Sequence, residues 1–202
     1  MQTGKQVRRH SQGFSILELV AVLAITMTLG ALATPYMVTV TANVRLRSGM
    51  NSLSGIMQEC RTDAIRDNRM KTTRLTVLSN GPVAYVKDAN LTGAAAEIAQ
   101  RDPQAQLGAP VTHITSLTGV TGAPTALDHA ILGFDVQSPD KLVSFNPRGL
   151  PCLYSSGACT VTGFVLYFND TRPLGGSGWG AVTVSPAGRV KVWMWTGSQW
   201  GS

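Results

Sequence analysis

One stretch of this chain limits what it can fold into more than any other. The 25 residues from Phe14 to Val38 carry a single formally charged side chain, Glu18. A helix of that length rises about 1.5 Å per residue and crosses the roughly 30 Å hydrocarbon core of a bilayer. Three cations come directly before it, at Lys5, Arg8 and Arg9. Because such clusters stay on the cytoplasmic side, the sequence predicts a single membrane-spanning helix over residues 14–38 that sends the rest of the chain outward.

The charge at Glu18 separates two interpretations of this helix. A secretory signal ends in a cleavage site of small residues, and Ala31 to Ala33 imitate such a site, so cleavage there is the alternative. An ionisable group inside an apolar segment is costly unless it is paired, and it usually serves a purpose. Glu18 therefore favours a helix that is retained.

The surrounding residues carry a family resemblance. "RRHSQGFSILELVAVLAI" resembles the class III leader of type IV pilins and type II secretion pseudopilins. Gly13 matches the residue before the cut, Phe14 the new N-terminus that becomes methylated, and Glu18 the glutamate at the fifth mature position. Pro35 matches a helix-kinking proline of many members. The resemblance implies that a membrane prepilin peptidase removes residues 1–13 as a leader peptide and leaves the apolar helix in place.

Cleavage would also give Glu18 a partner. The new α-amino group of Phe14 is a cation at a similar depth, so Glu18 of one subunit can neutralise the N-terminus of a neighbour in a helical stack. Two unpaired charges oppose burial, whereas a pair removes much of that cost. The alternative is a membrane anchor in which Glu18 merely lies near the interface.

The helical pattern continues beyond the membrane segment. Apolar residues recur at alternating steps of four and three, at Leu46, Met50, Leu53, Met57, Cys60 and Ala64. This spacing predicts one apolar stripe on a helix. We expect one long helix over residues 14–67, with Pro35 able to bend it and with its second half packed on a globular domain.

From Asn68 onward the pattern changes to short strands. Residues Ser79 to Pro82 separate "TTRLTVL" from "VAYVK" and predict a hairpin. The further predicted strands are "AILGFDV", "KLVSF", "GFVLYF", "AVTV" and "RVKVWMW". Residues 68–202 are expected to form an extracytoplasmic domain, so the fold class is α+β, an antiparallel sheet of about seven strands on one long helix. Between Lys87 and Pro110 we expect a surface loop with a short helix at Ala94–Gln100.

The cysteines suggest one covalent link. Cys152 and Cys159 flank a short loop, and if the domain is exported a disulfide between them is expected. Cys60 lies in a helical stretch and is expected to be a buried thiol.

Composition and motifs argue against several functions. The formal charge is +6, but without the three cations before Gly13 the count is 14 basic against 11 acidic side chains, or +3. That surplus is a weak indication of nucleic-acid binding. No metal or cofactor is expected, because no CxxC occurs and His10, His113 and His129 are scattered. No GxSxG, Walker A or HExxH motif occurs either, so the chain is not expected to be an enzyme.

The final hairpin extends the resemblance to the other end of the chain. "WGAVTVSPAGRVKVWMW" resembles the C-terminal signature of GspH/FimT-type minor pilins, and "FNPRGLPC" upstream is typical of that group. Alternation places Val190, Val192 and Met194 toward the core, with Val182 and Val184 of the partner strand. The outward residues are then Arg189, Lys191, Trp193 and Trp195.

Two cations in line with two indoles form a platform for phosphates and bases. In FimT-like pilins of natural transformation a Gly-Arg-x-Arg element is implicated in binding DNA, and Gly188 to Lys191 resemble it with Lys in place of the second Arg. Lys keeps the charge but lacks the planar fork. Arg172 would extend the patch. The alternative is a solvated charged face whose indoles shield a sheet edge or contact a neighbouring subunit.

The resemblance at both ends of the chain implies a minor pilin of GspH/FimT type, a subunit that joins or primes a type IV pilus-like filament. Its expected place is the bacterial inner membrane, as a single-pass protein with the C-terminal domain in the periplasm, and then the filament. Its expected partners are the prepilin peptidase, other pilins or pseudopilins, the membrane and, if the platform is used, DNA. One alternative is a minor pseudopilin of a type II secretion system, and another is a membrane-anchored binding domain that never polymerises.

Overall fold

The structure is a computed structural model that divides into two compact units, Met1–Thr39 and Val40–Ser202. It describes residues 15–78, 81–88, 104–107, 111–114, 116–127, 136–137, 142–155, 158–171 and 177–202. The predicted short helix at Ala94–Gln100 lies outside these residues.

A single helix, α1, covers Ile16–Arg66 without interruption. It therefore agrees with the predicted long helix, and its assignment also continues through Pro35. In the first unit its large apolar side chains are exposed, for example Ile16 at 85% and Leu29 at 62%. By length and composition this helix is able to cross a membrane, and none of its most apolar window is buried within the described structure.

The second half of α1 has the predicted apolar stripe. Every stripe residue is at most 1% exposed: Leu46, Met50, Leu53, Met57, Cys60 and Ala64. Burying a side chain of the size of leucine or methionine contributes about 1.5–3 kcal/mol. The stripe prediction is therefore confirmed, and the helix forms the centre of the second unit.

A first sheet contains six of the twelve strands in the described residues. In spatial order they are β3, β2, β1, β6, β7 and β8, and all neighbours are antiparallel. Their bounds are Lys71–Leu78 (β1), Gly81–Asp88 (β2), Gln104–Gln106 (β3), Leu142–Phe145 (β6), Pro151–Ser155 (β7) and Ala158–Val161 (β8). The predicted hairpin of β1 and β2 is confirmed, with Leu78 opposite Gly81. The predicted disulfide is also present, and Cys152 to Cys159 join β7 to β8.

A second sheet has the order β12, β11, β10, β9 and β4, and β5 pairs in parallel with β9. The bounds are Val111–Ile114 (β4), Val136–Gln137 (β5), Gly163–Thr171 (β9), Ser177–Val184 (β10), Val190–Trp195 (β11) and Trp200–Gly201 (β12). The α+β class is thus confirmed, but the expectation of one sheet with about seven strands is wrong. Strands of two to five residues, such as β3 and β12, are too short to show an alternation in sequence.

Both sheets pack on the stripe of α1 in one cluster, which we call the helix core. The first sheet contributes Val143 and Phe145, and the second contributes Phe164, Phe168 and Val182 among others. A separate cluster covers the opposite face of the second sheet. This tryptophan cluster consists of Leu127, Val165, Tyr167, Trp179, Ala181, Trp193 and Trp200, with Trp195 packed against it. The second sheet is consequently buried on both faces, and β9 is buried at every position from Gly163 to Phe168.

The free thiol of Cys60 lies in the helix core and should be unreactive. Burial raises its pKa from 9.0 to about 12, and only the thiolate is nucleophilic. We expect iodoacetamide at about pH 8 to alkylate denatured chains rapidly and folded chains very slowly. Because the folded pKa is the higher one, this group favours folding below pH 9.0, and the contribution is lost as the pH rises toward about 12.

The matched control is an exposed thiol on the same helix. Ser48→Cys in a Cys60→Ala background replaces an exposed residue and should react at the rate of a free thiol. If Cys60 of the folded chain reacts as fast as this control, it is not sealed in the core.

Candidate functional site

The last hairpin, β10 and β11, has the predicted division of its two faces. Val184 lies opposite Val190 and Val182 opposite Val192, and all four pack in the helix core together with Met194. The inward half of the prediction is therefore confirmed.

The outward face differs from the predicted platform. Trp193 is 7% exposed, and its indole Nε1 donates a hydrogen bond to Thr183 Oγ1 at 3.0 Å. Trp195 is half-buried, and its ring is edge-on to that of Trp200, with 5.5 Å between the two ring centroids. The predicted exposure of Trp193 is wrong, because the tryptophan cluster covers this face of the sheet.

A strap of chain, residues 116–127, makes that cover. The backbone N–H of Leu127 donates to the Tyr167 hydroxyl at 3.1 Å, and Trp200 Nε1 donates to the Thr125 carbonyl at 2.7 Å. Two aromatic polar groups thus fix the end of the strap and are satisfied within the cluster. The sequence signal was the unbroken apolar run of β9, which indicates burial on both faces rather than on one.

The two predicted cations stay accessible. Arg189 is exposed, and Lys191 is half-buried with its Nζ 4.0 Å from the centroid of the Trp193 ring. A cation over an indole face is stabilised by the ring quadrupole, so Trp193 serves as a support for Lys191. Arg172 lies outside the described residues. DNA binding by this surface stays a prediction.

Arg189 belongs to a contact between two turns that the sequence did not reveal. Residues 146–150 connect β6 to β7, and residues 185–189 connect β10 to β11. Gly149 and Gly188 have φ angles of +74° and +79°. A Cβ at Gly188 would lie 2.7 Å from the Gly149 carbonyl oxygen, so the two turns touch through their glycines. We call residues 146–150 and 185–189 the turn pair.

Arg61 of α1 packs against both members of the turn pair. Its Nη1 donates to the Gly188 carbonyl at 3.1 Å. A Cβ at Gly188 would lie 3.0 Å from the Arg61 guanidinium, and one at Gly149 would lie 3.2 Å from it. The Gly-Arg pair and the "FNPRG" stretch therefore have a structural role of their own, whereas no sequence signal distinguished Arg61 from other helix residues.

The predicted processing and assembly residues fall at the start of the chain. Gly13 and Phe14 lie outside the described residues, and Glu18 is exposed in the first turn of α1. Ser15 Oγ accepts a hydrogen bond from the Leu17 N–H at 3.3 Å. Ser15 and Glu18 have the spacing of a capping box, and a carboxylate near a helix N-terminus is stabilised by the helix dipole. Glu18 thus also has a position in the first turn that favours the start of the helix, and its role in assembly stays a prediction.

A cleft of about 580 Å³ lies in the second unit between α1, the strap and the end of β11. Its larger lining residues are Asn43, Leu46, Arg47, Trp179, Met194 and Trp195. Within the described part of the chain, no acidic, histidine or cysteine side chain lines it, so it offers no general acid or base. Among the same residues no three His, Cys, Asp or Glu side chains are grouped to hold a metal ion.

The close approach of the two turns can be measured as a stability difference. Gly188→Ala should lower the free energy of unfolding by about 2–4 kcal/mol, because it adds a left-handed backbone strain and a clash. Gly119→Ala is the matched control, since Gly119 has a φ of +78° but open space around its Cβ position. That variant should lose only about 1–2 kcal/mol, the cost of the backbone conformation alone. Equal losses in chemical denaturation of the two variants would mean that the turns are not in contact.

Among solved structures, the chain is similar to the crystal structure of the type IV minor pilin FimU of Pseudomonas aeruginosa. The likeness has 14% sequence identity and a TM-score of 0.43, and it covers 80% of this chain and 96% of that chain. No protein-family model matches the sequence, and no curated protein matches it. An identity and a TM-score this low leave the function to be inferred from the chain's own residues.

Proposed function

We propose that this chain is a minor pilin or pseudopilin of GspH/FimT type, a non-enzymatic subunit that joins or primes a type IV pilus-like filament. A prepilin peptidase removes residues 1–13, and the apolar helix then holds the protein in the bacterial inner membrane with residues 68–202 in the periplasm. Other pilins are its partners in the filament.

One observation carries the proposal. A single helix begins three residues after Gly13, exposes apolar side chains through its first part and supplies the buried centre of a β-rich unit with its second part. The exposed part needs another apolar environment, which a membrane or neighbouring helices supply. A cut at Ala31 to Ala33 would fall inside this helix, so the observation favours retention over a cleaved secretory signal.

Glu18 favours a polymerising subunit over a simple anchor. It is exposed among apolar neighbours such as Leu17 and Leu19, and a carboxylate in hydrocarbon is costly without a partner. The α-amino group of a neighbour's Phe14 would supply the opposite charge. An anchor that never assembles has no such partner available from another subunit.

Processing is tested at the cut itself. Gly13→Ala should leave the precursor uncut, because it changes the residue that the proposed peptidase reads, and intact-mass measurement of membrane protein should show the leader still attached. Gly30→Ala is the control, since Gly30 lies on α1 with nothing within 4 Å of its Cβ position, and it should be processed normally. Mature-length protein with N-terminal Phe in Gly13→Ala would contradict the proposal.

Assembly is tested at the carboxylate. Cross-linking between the N-termini of neighbouring subunits should be lost in Glu18→Ala, because the buried amine then lacks its counter-charge. Glu59→Ala removes a carboxylate from the second half of α1 and should cross-link normally. Unimpaired cross-linking in Glu18→Ala would favour the anchored domain that does not polymerise.

We also propose that Arg189 and Lys191 bind DNA. Their accessibility and the support that Trp193 gives to Lys191 favour this surface. The processed full chain in non-ionic detergent should retard duplex DNA at low salt, and Arg189→Ala/Lys191→Ala should weaken binding with a smaller salt dependence. Arg47→Ala/Arg74→Ala is a control with the same charge change. Absence of retardation by the unchanged chain at low salt would refute DNA binding while leaving the filament role intact.

A further inference from the structure

The turn pair brings a second arginine close to Arg189. Arg148 directly precedes Gly149, and Arg189 directly follows Gly188. Since consecutive Cα atoms are about 3.8 Å apart, each arginine lies one residue from the point where the two turns touch. The sequence separates these arginines by a long stretch of chain, and only the fold makes them neighbours.

Both arginines have a fixed backbone. The Arg148 N–H donates to Asn146 Oδ1 at 3.0 Å, and the Arg189 N–H donates to Ser185 Oγ at 3.1 Å. A polar side chain at the start of each turn thus fixes the backbone of the arginine, which follows two residues later in the case of Arg148 and four residues later in the case of Arg189. Less backbone freedom remains to be lost when a ligand binds, which favours affinity.

The two side chains are exposed, and neither forms an ion pair within the described part of the chain. The ion pairs there join Arg66 and Lys71 to Asp63 and Asp67. Two exposed arginines whose backbones lie this close can both reach one anion, and an anion that both contact offsets the repulsion between their charges. Guanidinium matches the oxygens of a phosphate in geometry as well as in charge.

We propose that Arg148 and Arg189 together form one binding site for the phosphodiester backbone of nucleic acid, with Arg61 as the positioning residue that holds the two turns together. The inference rests on the proposed DNA binding of the C-terminal hairpin and adds Arg148 to it, from a stretch that otherwise serves the fold. Lys191, two residues along the chain from Arg189, adds a third cation to this part of the surface. A ligand with several phosphates is therefore favoured over one with a single phosphate.

The test measures the affinity of the processed full chain in non-ionic detergent for a labelled DNA duplex by fluorescence anisotropy. Arg148→Gln and Arg189→Gln should each weaken binding about three- to tenfold and lower the salt slope by about 1. The double variant should lose less than the product of the two, because both residues act in one site. Arg47→Gln is the matched control, an exposed arginine on α1 about 20 Å along the helix from Arg61, and it should bind like the unchanged chain.

Arg61→Lys tests positioning. It retains the charge but not the planar fork, so affinity should fall while the salt slope stays unchanged. If its affinity equals that of the unchanged chain, Arg61 has no positioning role.

If Arg189→Gln weakens binding while Arg148→Gln behaves like Arg47→Gln, the shared site is wrong and the proposed DNA binding of the hairpin stands. If the unchanged chain binds no duplex, both are wrong. Unchanged thermal midpoints of the glutamine variants show that folding is not the cause.

Discussion

The apolar stripe on the second half of α1 is the contact on which the rest of the second unit depends. Both sheets pack against this stripe, and they contribute aromatic side chains such as Phe145 and Phe164 to the contact. Each of these large side chains contributes about 1.5–3 kcal/mol through burial. One turn beyond Met57 on the same helix, Arg61 reaches the turn pair, so the helix also sets the position of the surface proposed to bind DNA.

The parts of this fold that follow a long regular pattern could be predicted from the sequence. The helical spacing of the six stripe residues predicted the second half of α1. The alternation of side chains along β11 predicted which of them face the core. Two sheets were not predictable, because strands such as β3 and β12 are too short to carry a period. Trp193 was misplaced for another reason: alternation says which residues share a face, but not whether another segment covers that face. The turn pair could not be predicted either, since it depends on tertiary contact between residues distant in the chain.

The two ends of the chain use charge in different physical settings. Glu18 lies among apolar side chains, and in the proposed filament its carboxylate would need a counter-charge, which would limit how a neighbouring subunit can be placed. Arg148 and Arg189 are exposed on turns held by hydrogen bonds, where one cation binds an anion weakly, so the proposed site needs both. A subunit of this proposed kind would thus separate assembly from recognition, because the residues of one function do not lie in the compact unit of the other.

The strands at the borders of both sheets bear on how copies of this chain would pack in the proposed filament. In the part of the chain that the structure describes, these strands are β3, β8, β4, β5 and β12, and none exceeds four residues. Open backbone N–H and C=O groups along a long border invite pairing with another chain and lead to aggregation. Border strands this short, one of them in a hairpin closed by the Cys152–Cys159 disulfide, each offer few backbone groups for such pairing. In the proposed filament, such borders would lower the tendency of neighbouring sheets to fuse, and association would fall mainly to the helices.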